Sequence, residues 1–262
     1  MWFHAGWGQV VVIIVGLVLG SFLNVVRVRL PEGGSILFPS SHCPRCKAKV
    51  RPWDNIPVLS YLLLGGRCRD CRLVISWCYP VVELLSAVVL WFTVRNAPTP
   101  MAAAFSAVFA LALLLVLFID LDWQIIPDVI TLPGIVLGLL AGFWMEGGVL
   151  PRLIGAAVGG LGLLTLAWLY RAATGTDGLG MGDVKLLAMV GAFLGWKGTL
   201  GVILLGSLAG SLLGLALLVA GRADRKTTLP FGSFLAPAAW VVLYWGQNLW
   251  EVYRGLCRAL GG

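Results

Sequence analysis

The sequence predicts an all-α polytopic membrane protein, with about eight transmembrane helices and one small cytoplasmic zinc-binding insertion. Of the 262 residues, 59% are hydrophobic and 12% are charged, whereas soluble domains are about 45–50% apolar and about 25% charged. Six stretches lack Asp, Glu, Lys and Arg altogether: 1–26, 96–119, 129–145, 153–170, 198–221 and 227–250. Helices that are apolar on every side over such lengths belong in a bilayer. These observations exclude a disordered chain and a soluble enzyme.

The apolar stretches give eight predicted spans: 8–28, 77–94, 101–119, 129–145, 152–170, 184–196, 199–220 and 233–250. Only Lys197 and Gly198 separate the sixth from the seventh, so this pair could instead form one bent or re-entrant segment. The first span is not interpreted as a cleaved signal peptide, because it lacks a basic start and a small-residue exit. We therefore expect a first transmembrane helix at 1–29, an insertion at 30–76 and a membrane bundle at 77–262.

The basic residues predict the orientation of the chain. The connections at 29–76, 120–128, 171–183 and 221–232, together with the boundary residue Arg27, hold 13 of the 19 Lys and Arg residues. This side is predicted to be cytoplasmic, with both termini on the opposite side. The net charge of +7 is thus mainly an orientation signal. No nucleic-acid partner is predicted, because no folded domain interleaves basic residues with aromatics.

Two C-x-x-C pairs lie in the insertion, Cys43 with Cys46 and Cys68 with Cys71. Each pair can take two corners of a tetrahedron, so the spacing predicts a structural zinc site. An insertion of this size has too small a hydrophobic core to fold unaided, so a bound metal would stabilise it. Two disulfides are the competing interpretation, but the predicted cytoplasmic location is reducing. Four cysteines leave no open coordination position, so this zinc is not predicted to be catalytic.

Carboxylates at the edge of the membrane are the candidates for chemistry, because charged groups there are costly. Asp120 ends the third span and Asp183 begins the sixth, and the predicted topology brings both to the cytoplasmic face. Two converging carboxylates cannot both ionise easily, so one can serve as an acid and the other as a base on a shared water. Asp122 lies about 200° around a helix from Asp120, so only one of them fits such a pair. Asp177 is interpreted as a solvated loop residue.

The surroundings of Asp183 carry further predictions. Gly180 and Gly182 are expected to permit a positive φ and the close approach of an extended substrate. Asp128 is interpreted as the N-cap of the fourth span. Lys185 is interpreted as a side chain that snorkels to the membrane surface or supports the site.

Several motifs then follow one another along residues 16–236. They are Gly20-Ser21-Phe22-Leu23-Asn24-Val25-Val26-Arg27-Val28-Arg29-Leu30-Pro31, the paired C-x-x-C insertion, Tyr79-Pro80-Val81-Val82-Glu83, Ile119-Asp120 with Ile126-Pro127-Asp128, Gly180-Met181-Gly182-Asp183-Val184-Lys185-Leu186, and Pro230-Phe231-Gly232. This ordered set resembles bacterial type IV prepilin peptidases, a family of membrane aspartic proteases of the G-x-G-D type.

The resemblance implies that short basic leaders are cleaved from prepilins and pseudopilins, after a glycine, at the cytoplasmic face of the bacterial inner membrane. It implies Asp183 as one catalytic residue, and its spacing before Pro127 selects Asp120 over Asp122 as the other. Glu83, Lys185, Gly180 and Gly182 are interpreted as supporting or substrate-contacting residues.

The resemblance also implies that the new N-terminus is N-methylated from S-adenosylmethionine. The cysteine insertion favours this second activity, although no glycine-rich cofactor motif follows a strand here. Two other functions stay open on the sequence, an ion-coupled transporter and a non-enzymatic assembly scaffold of a secretion or pilus system. The expected partners are prepilins and the lipid bilayer.

Overall fold

The computed structural model describes residues 6–176, 178, 180–222 and 230–260, and Asp177 lies outside them. Within these residues the regular structure is helical, apart from isolated β-bridges. The α-helices are α1 (Gly6–Arg29), α2 (Leu59–Leu63), α3 (Cys78–Asn96), α4 (Pro100–Trp123), α5 (Asp128–Ala141), α6 (Val149–Thr174), α7 (Met181–Val219) and α8 (Gly232–Leu260). The chain divides into two compact units, with the boundary after Leu115.

Among the described residues, five helices are long and apolar enough to cross a membrane: α1, α3, α4, α6 and α7. The shorter α5 is also apolar. The prediction of an all-helical multi-pass membrane protein is therefore confirmed.

Helix α7 contains both the sixth and the seventh predicted spans. Its 39 residues would extend about 58 Å as a straight helix, nearly twice the hydrocarbon core of a bilayer. The helix is broken at Gly195, where φ is 70° and ψ is 176°. The break therefore lies at Gly195 rather than at Lys197 and Gly198. Glycine is suited to this position, because it adopts such a conformation without strain.

In the first unit, α1 packs against α3 at small residues. A Cβ atom on Gly16 would lie 2.5 Å from the Cα atom of Ala87, and one on Gly20 would lie 2.6 Å from the Cα atom of Glu83. The two backbones can approach this closely only because both α1 positions lack a side chain. Close approach at small residues is a common way for membrane helices to associate.

In the second unit, α7 is the central helix and packs against α5, α6 and α8. Glycines again set the closest approach. A Cβ atom on Gly155 of α6 would lie 2.5 Å from the carbonyl oxygen of Gly191, and one on Gly159 would meet the carbonyl oxygen of Leu187. The part of α7 that follows Asp183 is thus held by close backbone packing against α6.

Arg152 of α6 supports α7 one turn before its break. This side chain is buried, and its Nη1 atom donates to the carbonyl oxygens of Ala192 and Phe193. A charged group buried within a membrane bundle needs such acceptors. Arg152 therefore stabilises the part of α7 where the helix direction changes.

Candidate active site and cysteine cluster

Asp120 lies in the last turn of α4 and is 4% exposed. Its Oδ2 atom accepts a hydrogen bond of 2.7 Å from the backbone N–H of Ser233. A carboxylate removed from water requires a donor of this kind. Asp122 is exposed, because residues two apart on a helix face opposite sides.

Asp183 lies in the first turn of α7 and is half-buried. Its carboxylate accepts a hydrogen bond from the backbone N–H of Gly180, the N-cap residue of that helix. This is the side-chain half of a capping box. The backbone of Gly232 provides a second hydrogen bond, and Asp120 is near enough for the two carboxylates to interact electrostatically.

The second unit thus brings together the aspartates that end α4 and begin α7. Both accept hydrogen bonds from the start of α8, through the amides of Gly232 and Ser233. Sequence analysis did not assign a role to these amides. The available signal was Pro230-Phe231-Gly232, a motif just ahead of an apolar helix.

The expectation of a positive φ at the glycines beside Asp183 is wrong. Gly180 has a φ of −73°, and Gly182 lies within α7 and is not among the glycines with positive φ. Instead, the absence of a side chain at each glycine leaves room for a neighbouring side chain. A Cβ atom on Gly182 would lie 2.9 Å from the Cβ atom of Ile126, and one on Gly180 would lie 3.1 Å from Oδ2 of Asp183.

Asp128 is not an N-cap residue. Pro127 takes that position, and Asp128 is the first residue of α5. Both carboxylate oxygens of Asp128 accept hydrogen bonds of 2.7 Å from Nζ of Lys185. The ion pair links the start of α5 to the first turn of α7, two residues after Asp183, and both side chains retain contact with solvent.

Glu83 lies in the first unit, where its carboxylate is buried in α3. It accepts a hydrogen bond of 2.8 Å from the backbone N–H of Val58. Val58 has a φ of 61°, which is strained for a β-branched residue. Glu83 therefore holds the start of α2 in an unusual backbone conformation.

The four cysteines of the insertion converge in the first unit. Their Sγ atoms all lie within 4.8 Å of one another, with Cys43 and Cys71 at 3.6 Å and Cys46 and Cys68 at 4.0 Å. Four sulfurs around a tetrahedral zinc ion, at Zn–S distances near 2.3 Å, would be separated by about 3.8 Å. The cluster could therefore hold a metal ion.

The two cysteine pairs have the same backbone arrangement. In each, the N–H of the first cysteine donates to the carbonyl oxygen five residues later: Cys43 to Ala48, and Cys68 to Leu73. The residue after the second cysteine, Lys47 or Arg72, has a φ of 59°. A bridge closes each turn, His42 with Lys49 and Arg67 with Val74. Two matching turns thus face each other with their thiols inward.

The local environment shifts the pKa values of the Cys43 and Cys46 thiols in opposite directions. Hydrogen bonds from the backbone of Cys46 and Arg45 lower the pKa of Cys43 to about 6. The backbone of Ala48 acts in the same direction on Cys46, but desolvation and the neighbouring sulfur atoms raise the pKa of Cys46 to about 11. Metals bind thiolates, so loading this cluster would release protons.

Comparison with known proteins identifies the family. The model of the bacterial Peptidase A24 N-terminal domain matches residues 14–96, and that of the type IV leader peptidase family matches residues 107–215. No solved structure matches the chain.

Curated relatives match most of the chain. The prepilin leader peptidase/N-methyltransferase of Pseudomonas aeruginosa is 38% identical over 265 residues, covering 92% of this chain and 91% of that protein. The proteins of the same name from Aeromonas hydrophila and Xanthomonas campestris are 39% and 38% identical; the alignments cover 92% and 95% of this chain, and 92% and 96% of those proteins. This chain therefore belongs to the type IV leader peptidase family.

Proposed function

We propose that this chain cleaves the leader peptides of prepilins and pseudopilins after a glycine and then N-methylates the new N-terminus. The observation that carries the proposal is the meeting of Asp120 and Asp183 at the first turn of α8, in a chain whose relatives are named for this activity. We further propose that the protein lies in the bacterial inner membrane, with its base-rich connections in the cytoplasm.

The two carboxylates can divide the work of hydrolysis between them. The ionised aspartate accepts a proton from a water molecule, which attacks the carbonyl carbon of the scissile peptide. The protonated aspartate donates to the carbonyl oxygen as negative charge develops there. The tetrahedral intermediate then collapses as the C–N bond breaks. The amine takes the proton that the first aspartate had accepted, and a hydroxyl of the intermediate returns a proton to the second aspartate. General acid–base steps of this kind each contribute about 10²–10⁴-fold to the rate.

The position of the pair suits an apolar substrate. Both aspartates lie at the ends of helices long and apolar enough to span a membrane. The first mature segment of a prepilin is an apolar helix, so it can approach such a site from within the bilayer. The charged leader then remains on the aqueous side.

Mass analysis of the product N-terminus tests the proposal. Purified protein in detergent is incubated with a prepilin, with and without S-adenosylmethionine. We expect a mature chain that begins after the leader glycine, and a gain of one methyl group only when the methyl donor is present. An uncut prepilin would reject the peptidase proposal and favour a scaffold or a transporter.

We propose zinc as the ion held by Cys43, Cys46, Cys68 and Cys71 in the insertion at 30–76. The donor set supports this choice, because four thiolates in tetrahedral reach are typical of structural zinc. When bound, the metal supplies cross-links between the two cysteine turns and no chemistry on the substrate. The insertion would then fold as a small metal-stabilised module.

S-adenosylmethionine is proposed from the names of the relatives, and we assign no residues to it. Two features of the first unit offer polar groups, but neither fits this methyl donor. The buried carboxylate of Glu83 is already bonded to the amide of Val58. An open cleft of about 530 Å³ is lined by Ser40, Ser41, Lys49, Val50, Arg51, Pro52 and Asn55. These lining residues offer donors to an anion but no acid for a ribose or a sulfonium, so neither feature fits the methyl donor.

A further inference from the structure

The first turn of α8 carries two backbone amides without partners inside the helix. The carbonyl oxygen of Phe231 accepts the N–H groups of Phe234 and Leu235, at 3.0 and 3.1 Å. The amides of Gly232 and Ser233 therefore belong to the unpaired donors found at any helix start. The Oγ atom of Ser233 donates to the carbonyl oxygen of Pro230 at 2.6 Å, which closes the turn.

These two amides meet the two aspartates one to one. The N–H of Ser233 donates to Oδ2 of Asp120 at 2.7 Å in a buried setting, and the N–H of Gly232 is bonded to the carboxylate of Asp183. Consecutive residues in a helix differ by about 1.5 Å in rise, and they cannot move independently. One turn of helix therefore fixes the positions of both carboxylates at once.

Gly232 makes this approach possible. A Cβ atom at that position would lie 3.0 Å from Oδ2 of Asp120 and 2.7 Å from Cδ1 of Ile126. Its φ is not among the positive values in the chain, so glycine serves here to leave space rather than to adopt a special conformation. A side chain at this position would press against the carboxylate of Asp120 and require Ile126 to move.

The same turn eases the repulsion between the aspartates. Two nearby carboxylates repel when both are ionised. The start of a helix carries partial positive charge from its unpaired amides, and it favours negative groups beside it. Held by adjacent amides, the two side chains can stay close without a counter-ion.

We infer that Gly232 and Ser233 are positioning residues for the reaction, whose backbone amides hold Asp120 and Asp183 at a working distance. The inference rests on the proposed peptidase function. It assigns a role in catalysis to the Pro-Phe-Gly-Ser segment, which is 110 or more residues from Asp120 in sequence. Neither residue touches the substrate in this account; both act through the aspartates.

The test adds a methyl group at Gly232 and measures kcat and KM separately for a prepilin substrate. We expect Gly232→Ala to lower kcat about 100-fold, as misplacement of catalytic groups by about 1 Å does, with KM within about twofold of the unmodified protein. Gly162→Ala is the matched control, because a Cβ atom on Gly162 of α6 meets nothing within 4 Å.

A second background separates this role from simple misfolding. Ile126→Ala removes the other side chain that the new methyl group would meet, so Gly232→Ala is compared again within Ile126→Ala. A kcat ratio near 100 in this background supports the inference. Gly232→Ala protein that cleaves at the rate of its parent in either background overturns it. Failure of the unmodified protein to cleave would instead reject the peptidase function itself.

Discussion

Backbone amides hold the buried carboxylates of this protein. Asp120 accepts the N–H of Ser233, and Glu83 accepts the N–H of Val58. An amide compensates for lost hydration without adding a second charge that would itself need compensation. The exposed Asp128 is different, because it pairs with the ammonium group of Lys185. The type of partner therefore depends on burial: the buried carboxylates bond to backbone amides, and the exposed one pairs with a charged side chain.

The pair of Asp128 and Lys185 should act as one unit. It ties α5 to the turn that carries Asp183, so losing either partner lets that turn shift. We expect Asp128→Asn and Lys185→Met each to slow leader cleavage about tenfold, and the double variant to be no slower than the slower single one. Initial cleavage rates measure this. Effects that multiply in the double variant would show that the two side chains work separately.

The cysteine cluster should contain about one zinc ion per chain, by elemental analysis of purified protein. Cys43→Ser with Cys46→Ser removes half of the ligands, so we expect the metal to be lost and the insertion to become sensitive to protease. Cys78→Ser is the matched control, since Cys78 lies at the start of α3 and outside the cluster. Protein without metal whose insertion stays fully protease-resistant would contradict a structural role.

Helix packing depends on glycine at several places in both units. In the second unit, α7 can serve as the central helix because Gly155 and Gly159 of α6 bring the two backbones together. The break at Gly195 then divides a helix that is too long for one crossing. The geometry of α7 matters for the proposed activity, since Asp183 lies in its first turn.

Valine at Gly159 should separate α6 from α7. A Cβ atom there would meet the carbonyl oxygen of Leu187, and backbone cannot yield as a side chain can. We expect Gly159→Val to destabilise the protein by about 1–3 kcal/mol or more, seen as a lower thermal unfolding midpoint in detergent. Gly162→Val is the matched control in the same helix, because a Cβ atom on Gly162 meets nothing within 4 Å. Equal midpoints for the two variants would argue against close packing at Gly159.

Arg152→Met should weaken the region before the break in α7. The change leaves the carbonyl oxygens of Ala192 and Phe193 without this donor, at a cost of about 1–3 kcal/mol for unsatisfied buried groups. Arg95→Met is the control, because Arg95 is exposed and its guanidinium lies over Trp91. Thermal unfolding compares the two. An Arg152→Met protein as stable as Arg95→Met would show that these carbonyls find other partners.

For the molecule as a whole, the membrane class and the helix positions could be predicted because they follow from hydrophobic length. The cysteine cluster could be predicted from spacing alone. The break at Gly195 could not, since Lys197 and Gly198 look like a better loop in sequence. The partner of Asp128 and the conformation of Gly180 depend on distant contacts, and so does the pairing of Asp120 with the amide of Ser233. Local sequence patterns do not show which remote backbone amide donates a hydrogen bond to a buried carboxylate.

The central claim is that Asp120 and Asp183 act together on one water molecule. The initial rate of leader cleavage in Asp120→Asn, Asp183→Asn and Asp122→Asn tests it most directly, with each variant checked for normal amounts in the membrane. Asp122 is the matched control, being exposed on the other face of the same helix. We predict that the first two variants lose at least about 10²-fold in rate and that Asp122→Asn cleaves normally. Full cleavage by either Asp120→Asn or Asp183→Asn would contradict the account.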